Sequence, residues 1–275
     1  MNGGFERGLG AVLRTLAPYS QDLVLVGGWV PMLYARHLGL EDRVLLYTRD
    51  IDLAVPRKLD KRDRTVDELL KDAGLKDVFK SQLNPPAVSY IGRLDGTEVE
   101  VEFLTNEPGN REGTIVVQDG LNAAALHYVG LMTESAFPLE VEVAGQLVAV
   151  RLPSPASYIV GKALVFPQRP KPQEQSKDLY YIFDVWDGCR EWRGWILTEA
   201  EGLRQRRESW MKRAVDNLNR FCEALPSESE GIAMLIKQRP AAAFTELSDD
   251  QFGQYAWGEM ASLRATLRGE RDQPI

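Results

Sequence analysis

The sequence has little of what several functional classes require. Only two cysteines, Cys189 and Cys222, occur in 275 residues, without a CxxC spacing, and His37 and His127 are the only histidines. Neither a disulfide framework nor a zinc site is indicated, and each cysteine reads as a small buried hydrophobe. Long hydrophobic runs are missing too. The longest apolar stretch, near residues 23–35, is interrupted by Gly27-Gly28 and Pro31 and is too short to span a bilayer. The first residues, MNGGFERGLG, hold no apolar signal core, so a cytoplasmic protein without membrane contact is expected. Positive charge is not in excess. Lys and Arg number 33 against 40 Asp and Glu, and the formal net charge of −7 argues against a protein that coats nucleic acid through bulk charge, leaving room for a local basic groove. No internal repeat is found.

What is present, 44% hydrophobic and 27% charged residues, describes a globular chain of one large or two ordinary domains. Its most informative stretch is residues 24–55, VLVGGWVPMLYARHLGLEDRVLLYTRDIDLAV. The run 23–26 reads as a buried strand, broken by Gly27-Gly28 where a helix over 29–38 begins, with Pro31 tolerated in its first turn and Gly39 as its stop. Free N–H groups and the positive dipole end at this turn suit a phosphate, which can approach backbone that carries no Cβ. Downstream, TRDIDLAV alternates, so Asp50, Asp52 and Ala54 share one strand face and Ile51, Leu53 and Val55 the other. Two carboxylates side by side repel unless a cation intervenes, and an oxygen-only pair suits Mg²⁺. A sheet-edge strand showing acids to water is the alternative reading of D-x-D by itself.

Elsewhere, helices are predicted over 5–16 and 65–73 and a short strand over 77–81. A hairpin pairs AVSYIGR with EVEVEFL across Asp95-Gly96. The returning strand puts Glu98, Glu100 and Glu102 on one face, where one of them can complete a carboxylate triad or all can form a solvated acidic face. Next come a polar loop over 105–113, a strand over 114–117, a helix over 121–132, and a second hairpin turning at Ala144-Gly145. From Pro155 onward only helical patterns are seen, which places a domain boundary near Leu152 and divides the chain into 1–152 and 153–275. FPQRPKPQEQ reads as a mobile loop, and Thr198/Glu201, Ser227/Glu230 and Ser248/Gln251 each match a capping box. The basic residues Arg204, Arg206, Arg207, Lys212 and Arg213 are interleaved with acids and read as a solvated face, with contact to an RNA backbone as the alternative.

Val26-Gly27-Gly28, then T-x-D-I-D-L, then an acid on a later V-E-F-L-T strand resembles the catalytic core of the polymerase-β-type nucleotidyltransferases, in particular small bacterial members related to the AbiEii toxin-like transferases. The resemblance covers roughly residues 23–186 and includes the P-x-P-A start of a helix with Lys162, then Arg169, then the K-D pair Lys177-Asp178. It implies an α/β (α+β) fold: a mixed sheet with flanking helices, joined to a helical C-terminal domain, with the nucleotide between them. It further implies Mg²⁺, with Mn²⁺ as an alternative, held by Asp50, Asp52 and Glu102, with Glu100 as the fallback. An NTP would be bound at Gly27, Gly28, Trp29 and Thr48, with Lys162, Arg169 and Lys177 neutralising the triphosphate. Asp178 would orient Lys162 or the nucleotide. The implied activity moves an NMP to a hydroxyl on tRNA or another RNA, a protein or a small molecule, and an antitoxin-like protein partner is implied with it. A degenerate module that binds NTP or a partner without turnover is the rival expectation.

Overall fold

The computed structural model describes residues 3–38, 40, 44, 46, 48–80, 88–109 and 112–270. Gly39, Ser81, Ala87, part of the 105–113 loop and the tail from Arg271 lie outside them, so the helix stop at Gly39 and the outer ends of two predicted strands are not described. Among the described residues, those of 3–37 and 48–153 form one compact unit. Those of 154–270, with Leu38, Leu40, Val44 and Leu46, form another.

In the first unit the elements run α1 (Gly3–Thr15), β1 (Val24–Val26), a 3-10 turn (Gly27–Trp29), α2 (Val30–His37), β2 (Asp50–Ala54), α3 (Val66–Asp72) and β3 (Lys76–Phe79). They continue with β4 (Val88–Leu94), β5 (Thr97–Asn106), β6 (Gly113–Gln118), β7 (Leu121–Leu126), α4 (Val129–Glu134), β8 (Phe137–Val143) and β9 (Gln146–Leu152). Seven of these strands form a mixed sheet ordered β1-β2-β5-β4-β3, with β7 joining the far end of β5 and β6 pairing with β7. β2 and β5 run parallel, while β1 is antiparallel to β2 and β4 to β5. A second, two-stranded sheet of β8 and β9 packs against β1, α1 and α2.

Local chemistry accounts for most of this. Asp95-Gly96 turns with φ of 47° and 77°, and Ala144-Gly145 with 53° and 79°. Both central residues are left-handed, as the tightest hairpin turn requires. Thr65 caps α3 in a reciprocal box with Glu68, an arrangement that satisfies two otherwise orphaned donors. The inner face of the sheet buries Ile51, Leu53, Val99, Val101 and Phe103, and α1, which contacts β4 and β5, buries Leu9, Val12, Leu13 and Leu16. Each such side chain contributes roughly 1.5–3 kcal/mol of transfer free energy.

One prediction fails here. Residues 121–132 do not form a single helix: 121–126 is β7, paired antiparallel with β6 and parallel with β5. Asp119-Gly120, with Gly120 at φ 75°, is a third hairpin turn. The ladder on both edges outweighs the helical preference of Leu-Asn-Ala-Ala-Ala-Leu. Helix begins only at Val129, after Tyr128 at φ 68°.

The second unit is helical, without strands among the described residues: α5 (Pro155–Val165), α6 (Pro172–Gly188), α7 (Arg193–Arg206), α8 (Glu208–Cys222), α9 (Glu230–Gln238) and α10 (Asp249–Arg268). α5 and α6 pack together at its centre, with α8 and α9 against them. The loop predicted over 166–175 is largely structured. Phe166–Gln168 is a 3-10 turn and α6 already starts at Pro172, because proline in a first helical turn loses no hydrogen bond. Of the three predicted capping boxes only Ser248/Gln251 forms. Thr198 lies inside α7, its hydroxyl donating to the Gly194 carbonyl, because the preceding 3-10 turn starts the helix earlier. Ser229, not Ser227, caps α9 by accepting from the Ile232 N–H. No described helix is long and apolar enough to cross a membrane.

Thr65→Ala should therefore cost about 1 kcal/mol in urea unfolding through loss of the cap. Thr198→Ala, inside a helix, should stay within about 0.5 kcal/mol of wild type.

Candidate functional site

The parallel β2–β5 register sets Asp50 opposite Glu100 and Asp52 opposite Glu102, so four carboxylates project from one face of the sheet. On neighbouring strands like charges directly opposite destabilise the pair. Asp50 is exposed and Asp52 half-buried, while the side chains of Glu100 and Glu102 are 24% and 15% exposed. Further along the same face an apolar cluster joins Val24, Val26 and Ala54, with Leu104 and Leu126, to Val129 and Met132 of α4. The acids thus sit where low-dielectric packing ends and solvent begins, a position that strengthens their attraction for a cation.

Gly27 is fixed by two constraints. Its φ is 75°, and a Cβ there would fall inside the Asp52 carboxylate, 2.9 Å from its Cγ. Because Val26 pairs with Asp52, the Gly-Gly turn and the second acid are neighbours in space. Trp29, predicted to meet nucleotide, is fully buried at 2% exposure. Its ring is part of the core, and a nucleotide at this turn can meet only its backbone. Thr48 precedes β2 in irregular backbone and is half-buried.

Two residues at this face were not singled out from the sequence. Ser89, opposite Glu102 on β4, donates from Oγ to Glu102 Oε1 at 2.9 Å. Lys80, just past β3, places its ammonium on Glu100 and 3.2 Å from Glu102 Oε1. Counting back from the Asp95-Gly96 turn would have found Ser89, since each hairpin pair is fixed by that turn. Nothing comparable marks Lys80.

An all-oxygen donor set with this density of negative charge fits a hard divalent cation. The Lys80 ammonium already shows that a cation is attracted there. The carboxylates share the face, but among the described residues no three acidic, His or Cys side chains are drawn together closely enough to hold one ion.

The remaining predicted residues form a separate cluster within the second unit. Lys162 on α5 is buried, because Ile159, Val160, Ala163 and Leu164 around it are all core. Its Nζ donates to Asp178 Oδ1 at 2.5 Å, and Arg169 Nε donates to Asp178 Oδ2 at 2.7 Å. Lys162 also lies over the rings of Tyr158 and Tyr181, at 5.9 and 5.4 Å, and Lys177 lies 5.7 Å from the Tyr181 ring. Burial pushes the Asp178 carboxyl up, but the charges and hydrogen bonds of Lys162 and Arg169 outweigh it and hold it below the ordinary aspartate value of 3.8.

Residues 7–200 match a protein family described as nucleotidyltransferase, a match that takes in well over half of the chain, and the chain belongs to that family. No curated protein matches the sequence. A solved structure, that of an antigenic nucleotidyltransferase-like protein from Paracoccidioides brasiliensis, is 18% identical, with 78% of this chain and 93% of that chain covered and a TM-score of 0.42. A likeness at that distance carries no structural argument.

The lowered Asp178 pKa fixes the sign of a pH effect. Its ionised form stabilises the fold fully above about pH 4, and that contribution is lost as pH falls through the depressed folded value. Asp178→Asn leaves Lys162 buried without a counter-charge and should cost about 3–5 kcal/mol at pH 7. In urea titrations at several pH values, the gap to wild type should close below pH 3.8. A gap that does not change with pH would show that the pair is not ionic.

Proposed function

We propose that this chain is an active metal-dependent nucleotidyltransferase that moves an NMP from an NTP to a hydroxyl acceptor. The observation that carries the reading is the paired register of Asp50 and Asp52 with Glu100 and Glu102, beside a glycine turn that leaves no room for a side chain. A divalent ion, Mg²⁺ or Mn²⁺, when bound supplies charge neutralisation for the triphosphate and activates the acceptor hydroxyl. Asp50, Asp52 and Glu102 would hold it. Glu102, the less exposed of the two glutamates and hydrogen-bonded to Ser89, would take the acceptor proton.

Gly27 and Gly28 let the phosphates approach backbone N–H groups at the start of α2, where the dipole favours negative charge. Within the second unit Arg169, with a side chain 40% exposed, and the half-buried Lys177 are the cations that the family resemblance assigns to phosphate. Lys162 acts through Asp178, which it holds ionised and oriented toward Arg169. The kinship to AbiEii-type toxin transferases rests on the ordered residues alone, and an antitoxin-like protein partner belongs to that finer reading. RNA, tRNA included, is the acceptor class first to be tested.

The test incubates the protein with each labelled NTP, Mg²⁺ or Mn²⁺, and total tRNA or cell lysate, and asks which macromolecule gains label. Asp52→Asn should lower transfer at least about a hundredfold while leaving cooperative unfolding intact. Wild type should gain several degrees of melting temperature with Mg²⁺ and NTP together and the variant much less, since a ligand stabilises only the state that binds it. Equal shifts would place the metal elsewhere. A selective loss with no transfer by wild type to any acceptor would favour a binding module without turnover.

A further inference from the structure

We propose that Lys80 is a built-in counter-cation of the acidic face, which competes with the divalent ion for Glu102 and Glu100 and must leave them before the ion can be held. The inference rests on the metal reading of Asp52 and Glu102 and goes beyond it.

Its ground is the way the acids are held. Four carboxylates stand on two adjacent strands, which are separated by about 4.8 Å. The Lys80 ammonium reaches them from the end of β3 and bridges both glutamates of β5. Ser89 holds the same Glu102 oxygen from β4. Both partners hold Glu102 from the β4 side of β5, whereas Asp52 stands on β2, on the other side of β5, and no three carboxylates gather around one point among the described residues. The Lys80 side chain is 37% exposed, so it can leave for solvent without loss of core packing. A lysine carries one charge on a flexible stem and is strongly hydrated when free. A divalent ion brings twice the charge and binds oxygens at about 2.0–2.1 Å. The exchange is therefore favourable once the ion is present, and Lys80 sets the concentration at which it occurs.

The experiment measures Mn²⁺ binding by calorimetry to nucleotide-free wild type, Lys80→Gln and Lys80→Arg. Glutamine keeps most of the reach and removes the charge; arginine keeps the charge. Lys80→Gln should bind Mn²⁺ at least about threefold more tightly, with Lys80→Arg close to wild type. A melting temperature lowered in Lys80→Gln at unchanged Mn²⁺ affinity would make Lys80 a structural ion pair only and overturn the proposal while leaving the metal site standing. Weaker Mn²⁺ binding by Lys80→Gln would also overturn it, since Lys80 would then be holding the acids ready for the ion. If neither wild type nor Lys80→Gln binds Mn²⁺, with or without a non-hydrolysable NTP analogue, the metal reading and the proposal fail together.

Discussion

The parallel pairing of β2 with β5 is the constraint on which the rest of the first unit depends. Parallel neighbours in register project opposed residues to the same side of the sheet, so two alternating acidic strands concentrate their carboxylates on one face and their apolar residues on the other. The same alternation that builds the core from Ile51, Leu53, Val101 and Phe103 cannot avoid building the acidic face. Its repulsion is met locally by Ser89 and Lys80. Three further strands have a part: β1 ends in the turn whose Gly27 admits Asp52, β4 supplies Ser89, and β3 leads to Lys80.

How much of this could be read from the sequence follows from the range of each interaction. The β4–β5 hairpin is fixed by two residues, Asp95 and Gly96, so strand, register and the common face of Glu100 and Glu102 were legible. Asp50 and Asp52 were legible as a pair for the same reason, since alternation is local. That the two pairs belong to adjacent strands is a long-range fact, which the family resemblance supplied and the residues alone did not. Asp119-Gly120 carried the same hairpin signal as Asp95-Gly96, but the alanines after it favour helix, and the ladders that override them come from distant strands. Lys80 was invisible because the sequence between Phe79 and Val88 carries no two-residue turn signal from which their pairing could be counted.

In the second unit the burial of Lys162 is legible in the sequence around it. YIVGKALV is apolar on every side, and a helix apolar all round is a buried one, so a lysine within it must bring its own counter-charge. Asp178 supplies it from α6, and Arg169 shares the same carboxylate. A pair of this kind adds little net stability over a well-packed apolar pair, yet removal of either partner leaves a costly buried charge. The cluster links α5 to α6 through Lys162 and Asp178. Arg169, at its solvent edge, is held at a defined place by the buried part.

The two charged clusters differ in a way that bears on function. Around Asp178 one carboxylate faces two cations, so the charge is matched or exceeded and the group stays ionised inside the core. On the β2–β5 face four carboxylates are seen with one described ammonium on two of them. In the first arrangement the buried carboxylate has its counter-charges beside it. The second gathers its acids at the border of an apolar cluster, where electrostatic interactions are stronger than in open solvent. Carboxylates set opposite one another on adjacent strands cost stability, and it is this cost that Ser89 and Lys80 reduce at Glu102 and Glu100.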